Sequence, residues 1–259
     1  MKIAIVGYGK MGKMIEEAAL SRGHEICCVI DAAETEKFDS PQFREADVAI
    51  DFSIPSAEPE NVERCFAAGV PVVCGTTGWK DSLPIMERKA RNGEGTLLWS
   101  SNFSVGVNIF RAVNRYLARI MAGEPQYNPV LTEVHHIHKL DHPSGTAVTL
   151  AEDLIEADSR TLSWQDAGEE GKAIPGDLEK MAEEHILPVL YRREGEVPGI
   201  HSITWDSPQD SITITHSAHS RRGFALGAVI AAEWLAGRKG LYTIEDVFRY
   251  NFADDSPLE

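Results

Sequence analysis

The chain opens on an apolar run, Ile3 to Val6, which breaks at Gly7 into a stretch where Met14, Ile15, Ala18 and Ala19 recur at helical spacing. A second apolar run, Ile26 to Ile30, follows. Strand, glycine turn, helix and strand in that order predict a βαβ unit. The stretches ADVAIDFSIPSA, GVPVVCGTTGW and GTLLWSSNFS each carry a short apolar run that ends in small polar residues. Repetition of that pattern predicts a parallel sheet whose strand ends line one crevice.

After about Ser104 the rhythm changes. VGVNIFRAVNRYLARIM repeats apolar residues at three- and four-residue steps and predicts a helix. PVLTEVHHIHKLD is strand-like, PSGTAVTLAEDLIEA is an amphipathic helix, and SWQDAGEEGKAIPGDLEKMAEEH reads as polar and loop-rich. VLYRREGEVPGIHSITWDSPQDSITITHSA alternates apolar and polar residues, with turn signals at Pro198-Gly199 and Ser207-Pro208, and predicts antiparallel strands. FALGAVIAAEWLAGRKGLYTIEDVFRY then reads as a helix, a Gly-marked stop and a short acidic-started helix. The expected class is α/β: a Rossmann-like parallel-sheet nucleotide domain over residues 1–104, then an α+β domain with an open sheet over 105–221.

Composition narrows the function. The 259 residues suffice for one large or two modest domains, and 43% hydrophobic with 25% charged residues is a globular balance. No apolar run is long enough to span a bilayer, and Met1 leads straight into structured sequence, so a cytoplasmic location is expected. Cys27, Cys28, Cys65 and Cys74 form no C-x-x-C pair and read as reduced structural thiols. A net charge of −15 argues against sequence-independent nucleic-acid binding. An anionic ligand would have to meet a local positive patch.

The turn Gly7-Tyr8-Gly9-Lys10-Met11-Gly12 fits G-x-G-x-x-G after a strand and at the start of a helix, where backbone N–H groups and the helix dipole hold a pyrophosphate. Asp31 ends the second strand about twenty residues on, where an acid binds ribose hydroxyls. No Arg follows Asp31, which leans toward NADH, while Lys10 leaves a 2′-phosphate and NADPH open. Gly75, Thr76 and Thr77, with Ser100, Ser101, Asn102 and Phe103, end later strands and are candidates for the nicotinamide end, the second group marking the crossing between domains. Asp51 and Ser53 read as a helix cap and turn.

EVHHIHKLDHPSGT, residues 133 to 146, concentrates histidine, lysine and acid. Three chemistries compete. For a metal site, His136 and His138 would share one strand face, but no third ligand stands nearby in sequence, so none is expected. There is no Walker loop, yet Ser144, Gly145 and Thr146 begin a helix and form an anion clamp. Proton transfer suits the rest: an imidazole titrates near neutrality, and on a regular strand His135 and Lys139 would point to the same side. Glu133 and Asp141 read as tethers of the strand ends, and His138 and His142 as ordinary surface or loop residues.

EVHHIHKLDHPSGTA resembles the signature of the 4-hydroxy-tetrahydrodipicolinate (dihydrodipicolinate) reductase family, and GYGKMG, GTTGW, SNFSVGVN, HSITW and ITHSAHSRRGFALGA follow the family's order over almost the whole chain. The resemblance implies that residues 222–259 complete the nucleotide domain and that the open mixed sheet of 105–221 binds substrate and assembles a homotetramer. It implies NADH- or NADPH-dependent reduction of 4-hydroxy-tetrahydrodipicolinate, with loss of water, in diaminopimelate and lysine biosynthesis. It assigns His135 as proton donor/acceptor and Lys139 as proton donor. His136, Gly145 and Thr146, with the clamp residue Ser144, would bind substrate. Gly7 to Gly12, Asp31, Gly75 to Thr77 and Ser100 to Phe103 would hold the cofactor. Departures are a glycine turn one residue shorter than usual, Lys10 in place of Arg, and His142 in place of Ala. Arg221 aligns with an arginine that the family keeps near the cofactor. Other readings are a two-domain aspartate or diaminopimelate dehydrogenase, and a nucleotide-sensing regulator, for which an intact His135, Lys139 and Ser-Gly-Thr set would have no use.

Overall fold

A computed structural model describes residues 1–248 and divides them into two compact units, 1–108 with 222–248, and 109–221. The nucleotide-domain expectation extends to residue 259, and 249–259 lie outside the described residues.

The chain begins with β1 (Lys2–Val6), α1 (Lys10–Ser21) and β2 (Glu25–Ile30), then a 3-10 turn at Thr35–Asp39 and α2 (Pro41–Arg44). β3 (Val48–Asp51), α3 (Glu58–Ala68), β4 (Val72–Cys74), α4 (Leu83–Arg91) and β5 (Leu97–Trp99) follow. The second unit carries most of α5 (Val105–Met121), then β6 (Asn128–His135), α6 (Gly145–Ala157), β7 (Ser163–Glu169), α7 (Pro175–Glu183), β8 (Ile186–Arg193), β9 (Ile200–Asp206) and β10 (Ser211–Ser217). α8 (Arg222–Leu235), β11 (Leu241–Tyr242) and α9 (Ile244–Val247) return to the first unit.

In the first unit the strands run parallel in the order β11-β5-β4-β3-β1-β2. Side chains alternate between two buried faces, with Ala4, Val6, Ala49 and Val72 on one and Ile3, Ile5, Val48 and Ile50 on the other. That double burial is why these strands read as unbroken apolar runs. The second face is covered by α1 and the alanine-rich α8. α8 lies so close that a Cβ at Gly227 would meet the Phe103 carbonyl oxygen at 1.6 Å.

The second unit holds a mixed sheet in the order β10-β9-β6-β8-β7. β9 pairs antiparallel with β6 and β10, whereas β8 pairs parallel with β6 and β7. The antiparallel expectation therefore holds for β9 and β10 only, because β8 inserts beside β6 instead of folding back on its sequence neighbour. The supposedly loop-rich 163–185 contains β7 and α7. β7 is a half-exposed edge strand, so it lacks an apolar signature. Leu131, Leu187, Val189, Ile203 and Trp205 pack one face against Ala147, Leu150, Ala151 and Leu154 of α6 and Phe110, Ala118 and Met121 of α5. The other face carries a ladder of hydroxyls, Ser202 with Thr215 and Thr204 with Thr213, at 3.0 and 2.9 Å.

Candidate active site

In the first unit the end of β1 turns sharply at Gly7, whose φ of +82° and whose missing Cβ, which would lie 2.5 Å from the Phe52 carbonyl oxygen, exclude any side chain. Gly12 lets α1 close on that turn, since a Cβ there would lie 2.2 Å from the Gly7 carbonyl. Gly9, the residue before α1, has open space where a Cβ would stand. A backbone so bared at a helix N-terminus suits a diphosphate. A cavity of about 450 Å³ opens here, and Gly7, Tyr8, Gly9 and Asp31 line it together with Ala32, Thr35, Phe52, Ser53 and Asn61. The Asp31 carboxylate caps the Ala32 N–H at 2.9 Å on an exposed edge. The residues present fit an adenine dinucleotide.

The remaining candidates of this unit lie outside that cavity's lining. Lys10 is exposed and Met11 is half-buried against the α8 side. Gly75 stacks directly on the Phe52 ring, where a Cβ would come within 2.1 Å. Thr76 is buried, its Oγ1 accepting from Ser53 N at 3.0 Å and its carbonyl from the indoles of Trp79 and Trp99, while Thr77 is exposed. Ser100 and Asn102 form a tight turn after β5, with Ser101 exposed. Phe103 is 1% exposed and belongs to the core. Asp51 and Ser53 form the expected turn, Ser53 N donating to Asp51 Oδ1, but no cap, because the residue before α3 is Ala57 with no side-chain cap. Instead Asp51 joins buried Glu58 through Asn61 and Ser53. Burial first and mutual repulsion second push the Asp51 carboxyl well up, and burial pushes Glu58 up.

In the second unit, β6 ends at His135 and Lys139 N bonds back to the His136 carbonyl in a turn. Strand alternation therefore does not reach His136, His138 or Lys139. It does place Glu133 and His135 on the buried face, in line with Leu131, and registers His201 of β9 opposite Glu133 and Arg193 of β8 opposite His135. A polar cluster thus continues the row of core side chains to the strand end. His201 and Arg193 come from strands 60 or so residues away, beyond local spacing, although the HSITW alternation already marks His201 as inward-facing.

Glu133, fully buried, is the hub. One carboxylate oxygen accepts from Arg193 Nη2 at 3.2 Å and the other from Ser144 N at 3.1 Å, with His135 Nδ1 at 3.4 Å and His201 Nε2 at 3.8 Å from that second oxygen. Ser144 accepts from Ala147 N as the cap of α6 and meets His201 Nε2 at 3.2 Å. Burial lowers His135 despite the opposing pull of Glu133, and takes His201 down to about 3. Arg193 also binds the carbonyls of Lys139 and Asp141, so it fixes the loop that carries Lys139. Lys139 is paired with Asp141, and Gly145 and Thr146 open α6. His136 is half-buried beside exposed His138, which meets Glu196 at 3.1 Å. His142 pairs with Asp166 at 2.7 Å and stacks on Tyr191. Glu133, His135 and His201 also form a metal-type donor set, with ligand atoms within 4.8 Å. Arg193 and Ser144 each donate to one oxygen of Glu133, and the carboxylate so fixed stands beside the His135 imidazole, an arrangement for moving a proton.

Comparison with known proteins covers almost the whole described chain. The family models described as dihydrodipicolinate reductase N-terminus and C-terminus match residues 1–103 and 106–248. A 4-hydroxy-tetrahydrodipicolinate reductase of Christiangramia forsetii is 43% identical over 247 residues, 95% of this chain and 97% of the relative. One of Archaeoglobus fulgidus is 34% identical over 271 residues, 95% of this chain and 99% of the relative. A solved dipicolinate-bound dihydrodipicolinate reductase from Paenisporosarcina sp. TG-14 shares the fold with a TM-score of 0.72 at 20% identity, covering 94% of this chain and 97% of that one.

Proposed function

The chain belongs to the dihydrodipicolinate reductase family, and from that premise we propose that it reduces 4-hydroxy-tetrahydrodipicolinate to tetrahydrodipicolinate with a nicotinamide nucleotide. The observation that carries the reading is the buried Glu133–His135 pair beside Lys139 and the Ser144 opening of α6. The substrate is a ring with two carboxylates on a protein of net charge −15, so it needs local positive charge. Lys139 of the loop after β6, Arg193 at the end of β8 and the N-terminal turn of α6, through Gly145 and Thr146, supply it, and His136 belongs to the same loop.

When bound, a nicotinamide nucleotide would supply hydride chemistry at C4 of the dehydrated ring. The chain's own residues do the rest. Gly7 to Gly12 would hold the diphosphate, Asp31 the adenosine ribose, and Gly75 to Thr77 with Ser100 to Asn102 would frame the nicotinamide end. Lys139 and the α6 opening anchor the carboxylates. His135 delivers the proton that the carbon next to C4 takes up, with Lys139 beside it as the second donor, so one hydride, one proton and one departing water balance the reaction.

Asp31 favours NADH, because an acid binds two ribose hydroxyls but repels a 2′-phosphate, and no Lys or Arg is among the described residues lining that cavity. Lys37, the nearest basic side chain after β2, is held by Glu34 and the Val29 carbonyl. The open hydroxyl face of the second sheet is the surface on which a homotetramer would form. No helix among the described residues is long and apolar enough to cross a membrane, in keeping with the cytoplasmic location proposed for a biosynthetic enzyme.

The test is nucleotide oxidation with the product of dihydrodipicolinate synthase as substrate, with NADH and NADPH compared and oxaloacetate plus ammonia as control. Oxidation with the first substrate alone supports the reading, and oxidation only with the control would overturn it.

A further inference from the structure

Resting on the reading that His135 transfers the proton, we propose that Glu133 is the positioning residue for that imidazole: it keeps the Nδ1 proton, so that Nε2 exchanges with the ring. His201 is the wall that keeps the pair together.

The sheet itself builds this arrangement. Glu133 and His135 are two residues apart on β6 and share the buried face, and register places His201 opposite the first and Arg193 opposite the second. Arg193 on one oxygen and Ser144 N on the other fix the Glu133 carboxylate so that it cannot swing away. His135 Nδ1 stands 3.4 Å from that carboxylate, buried and without a hydrogen bond, so a small rotation of the ring closes the pair. Catalytic hydrogen bonds are commonly long before the reacting complex forms.

The other edge of the imidazole is open for a reason. A Cβ at Gly199, whose φ is +152°, would lie 3.0 Å from His135 Nε2. Glycine there leaves that nitrogen uncovered. His201 packs edge-on against His135 at 5.2 Å between ring centres and is held by Ser144 Oγ. Ser144 Oγ accepts from Ala147 N, so its own proton is available to His201 Nε2, which makes that nitrogen an acceptor and no rival donor for Glu133. The titratable and charged groups that face His135 are Glu133, His136 and Lys139 from β6 and its loop, Arg193 from β8 and His201 from β9, with His216 of β10 behind His201.

In the step this serves, the His135 imidazolium breaks its Nε2–H bond, the proton forms a C–H bond at the ring carbon, and the electron pair stays on Nε2. Nδ1–H remains on Glu133, and water returns the proton. Glu133 stabilises the charged ring before transfer, in the manner of an orienting carboxylate behind a catalytic histidine.

Full-length wild type, Glu133→Gln and His201→Asn test this by pH profiles of kcat and by nitrogen-15 histidine spectra, with His135→Asn identifying the signal. The wild-type neutral ring is expected to carry its proton on Nδ1. Glu133→Gln should lower kcat by about ten- to a hundredfold while KM for NADH stays within about twofold. Its kcat limb governed by protonated His135 should move to lower pH, because the carboxylate that favours the imidazolium is gone. Should Glu133→Gln not fold, His201→Asn carries the test, with lower kcat, an unmoved limb and a mixed tautomer signal. A wild-type ring protonated on Nε2 would overturn the proposal, as would loss of kcat in Glu133→Gln without movement of the limb. One zinc retained per wild-type chain but absent from His201→Asn would do the same, by making the trio a ligand set. The spectra need no substrate, so an Nδ1 proton in a protein that fails to reduce the ring separates failure of the substrate reading from failure of this one.

Discussion

Lys139 Nζ lies 2.8 Å from each carboxylate oxygen of Asp141, two residues along the same turn. The ammonium thus has a carboxylate in hand that, in the proposed reaction, a substrate carboxylate would replace. Lys139 is the chief cause of the lowering of Asp141. Asp141 is mostly exposed, so the pair is worth roughly 0.5–1 kcal/mol after solvent screening. Asp141→Asn is therefore expected to lower KM for the dicarboxylate about two- to fivefold with kcat little changed. A raised KM in steady-state kinetics would show that Asp141 orients Lys139 rather than competing for it.

Ser144 has two roles in the fold. It caps α6 through Ala147 N and meets His201 Nε2. Ser144→Ala removes a helix cap worth about 1 kcal/mol and leaves a buried ring nitrogen unpaired at a cost of about 1–3 kcal/mol. Urea unfolding is expected to give a loss of about 2 kcal/mol or more. An unchanged midpoint would contradict both contacts.

His201 gives the protein an acid-sensitive core. Its folded value of about 3 lies below the ordinary histidine value of 6.5, so the unfolded chain takes up the extra proton. Stability attributable to this ring is intact above the ordinary value and falls as pH drops from 6.5 toward 3. The slope is about 1.4 kcal/mol per pH unit. His201→Asn should flatten the dependence of Tm on pH between about 6 and 4 by one proton's worth, whatever it does to Tm at pH 8. Parallel curves for the two proteins would contradict the buried neutral ring.

The Asp51–Glu58 pair has the opposite sign. Both carboxyls are raised in the folded protein, so their contribution is greatest below the unfolded carboxylate range and declines as pH rises through their raised values. Glu58 Oε1 has no hydrogen-bond partner. Glu58→Gln removes one of two buried like charges and supplies an amide donor there. It is expected to raise Tm at pH 8 and to lessen the decline of stability with rising pH, by differential scanning fluorimetry. A lower Tm at pH 8 would show that the carboxylate is needed for packing.

How much of this was legible in the sequence differs between the two units. The parallel sheet was plain because Ile3 to Val6, Val48 to Ile50 and Val72 to Cys74 are buried on both faces and leave an unbroken apolar trace. β7 left no such trace, since an edge strand exposes Ser163 and Gln165. The Gly7–Gly12 turn and Asp31 were legible because their chemistry is local. The density of residues 133–146 marks a candidate site, but regular alternation does not give its internal geometry, because the chain already turns after His135. Glu133, which reads as a tether in the sequence, is the hub, and Arg193 and His201 escape local spacing because only sheet register joins them to it. Phe103, placed with the cofactor set, is held in the core by the close approach of α8 at Gly227.

The central claim is that nucleotide binding belongs to the Gly7–Asp31 cavity and proton delivery to His135 and Lys139. Fluorescence titration of NADH into wild type, His135→Ala and Lys139→Ala, beside their turnover with the dicarboxylate, separates the two. The account predicts NADH affinities within about twofold of one another and turnover lowered by about a hundredfold or more in each variant. Loss of NADH affinity in step with turnover would contradict it.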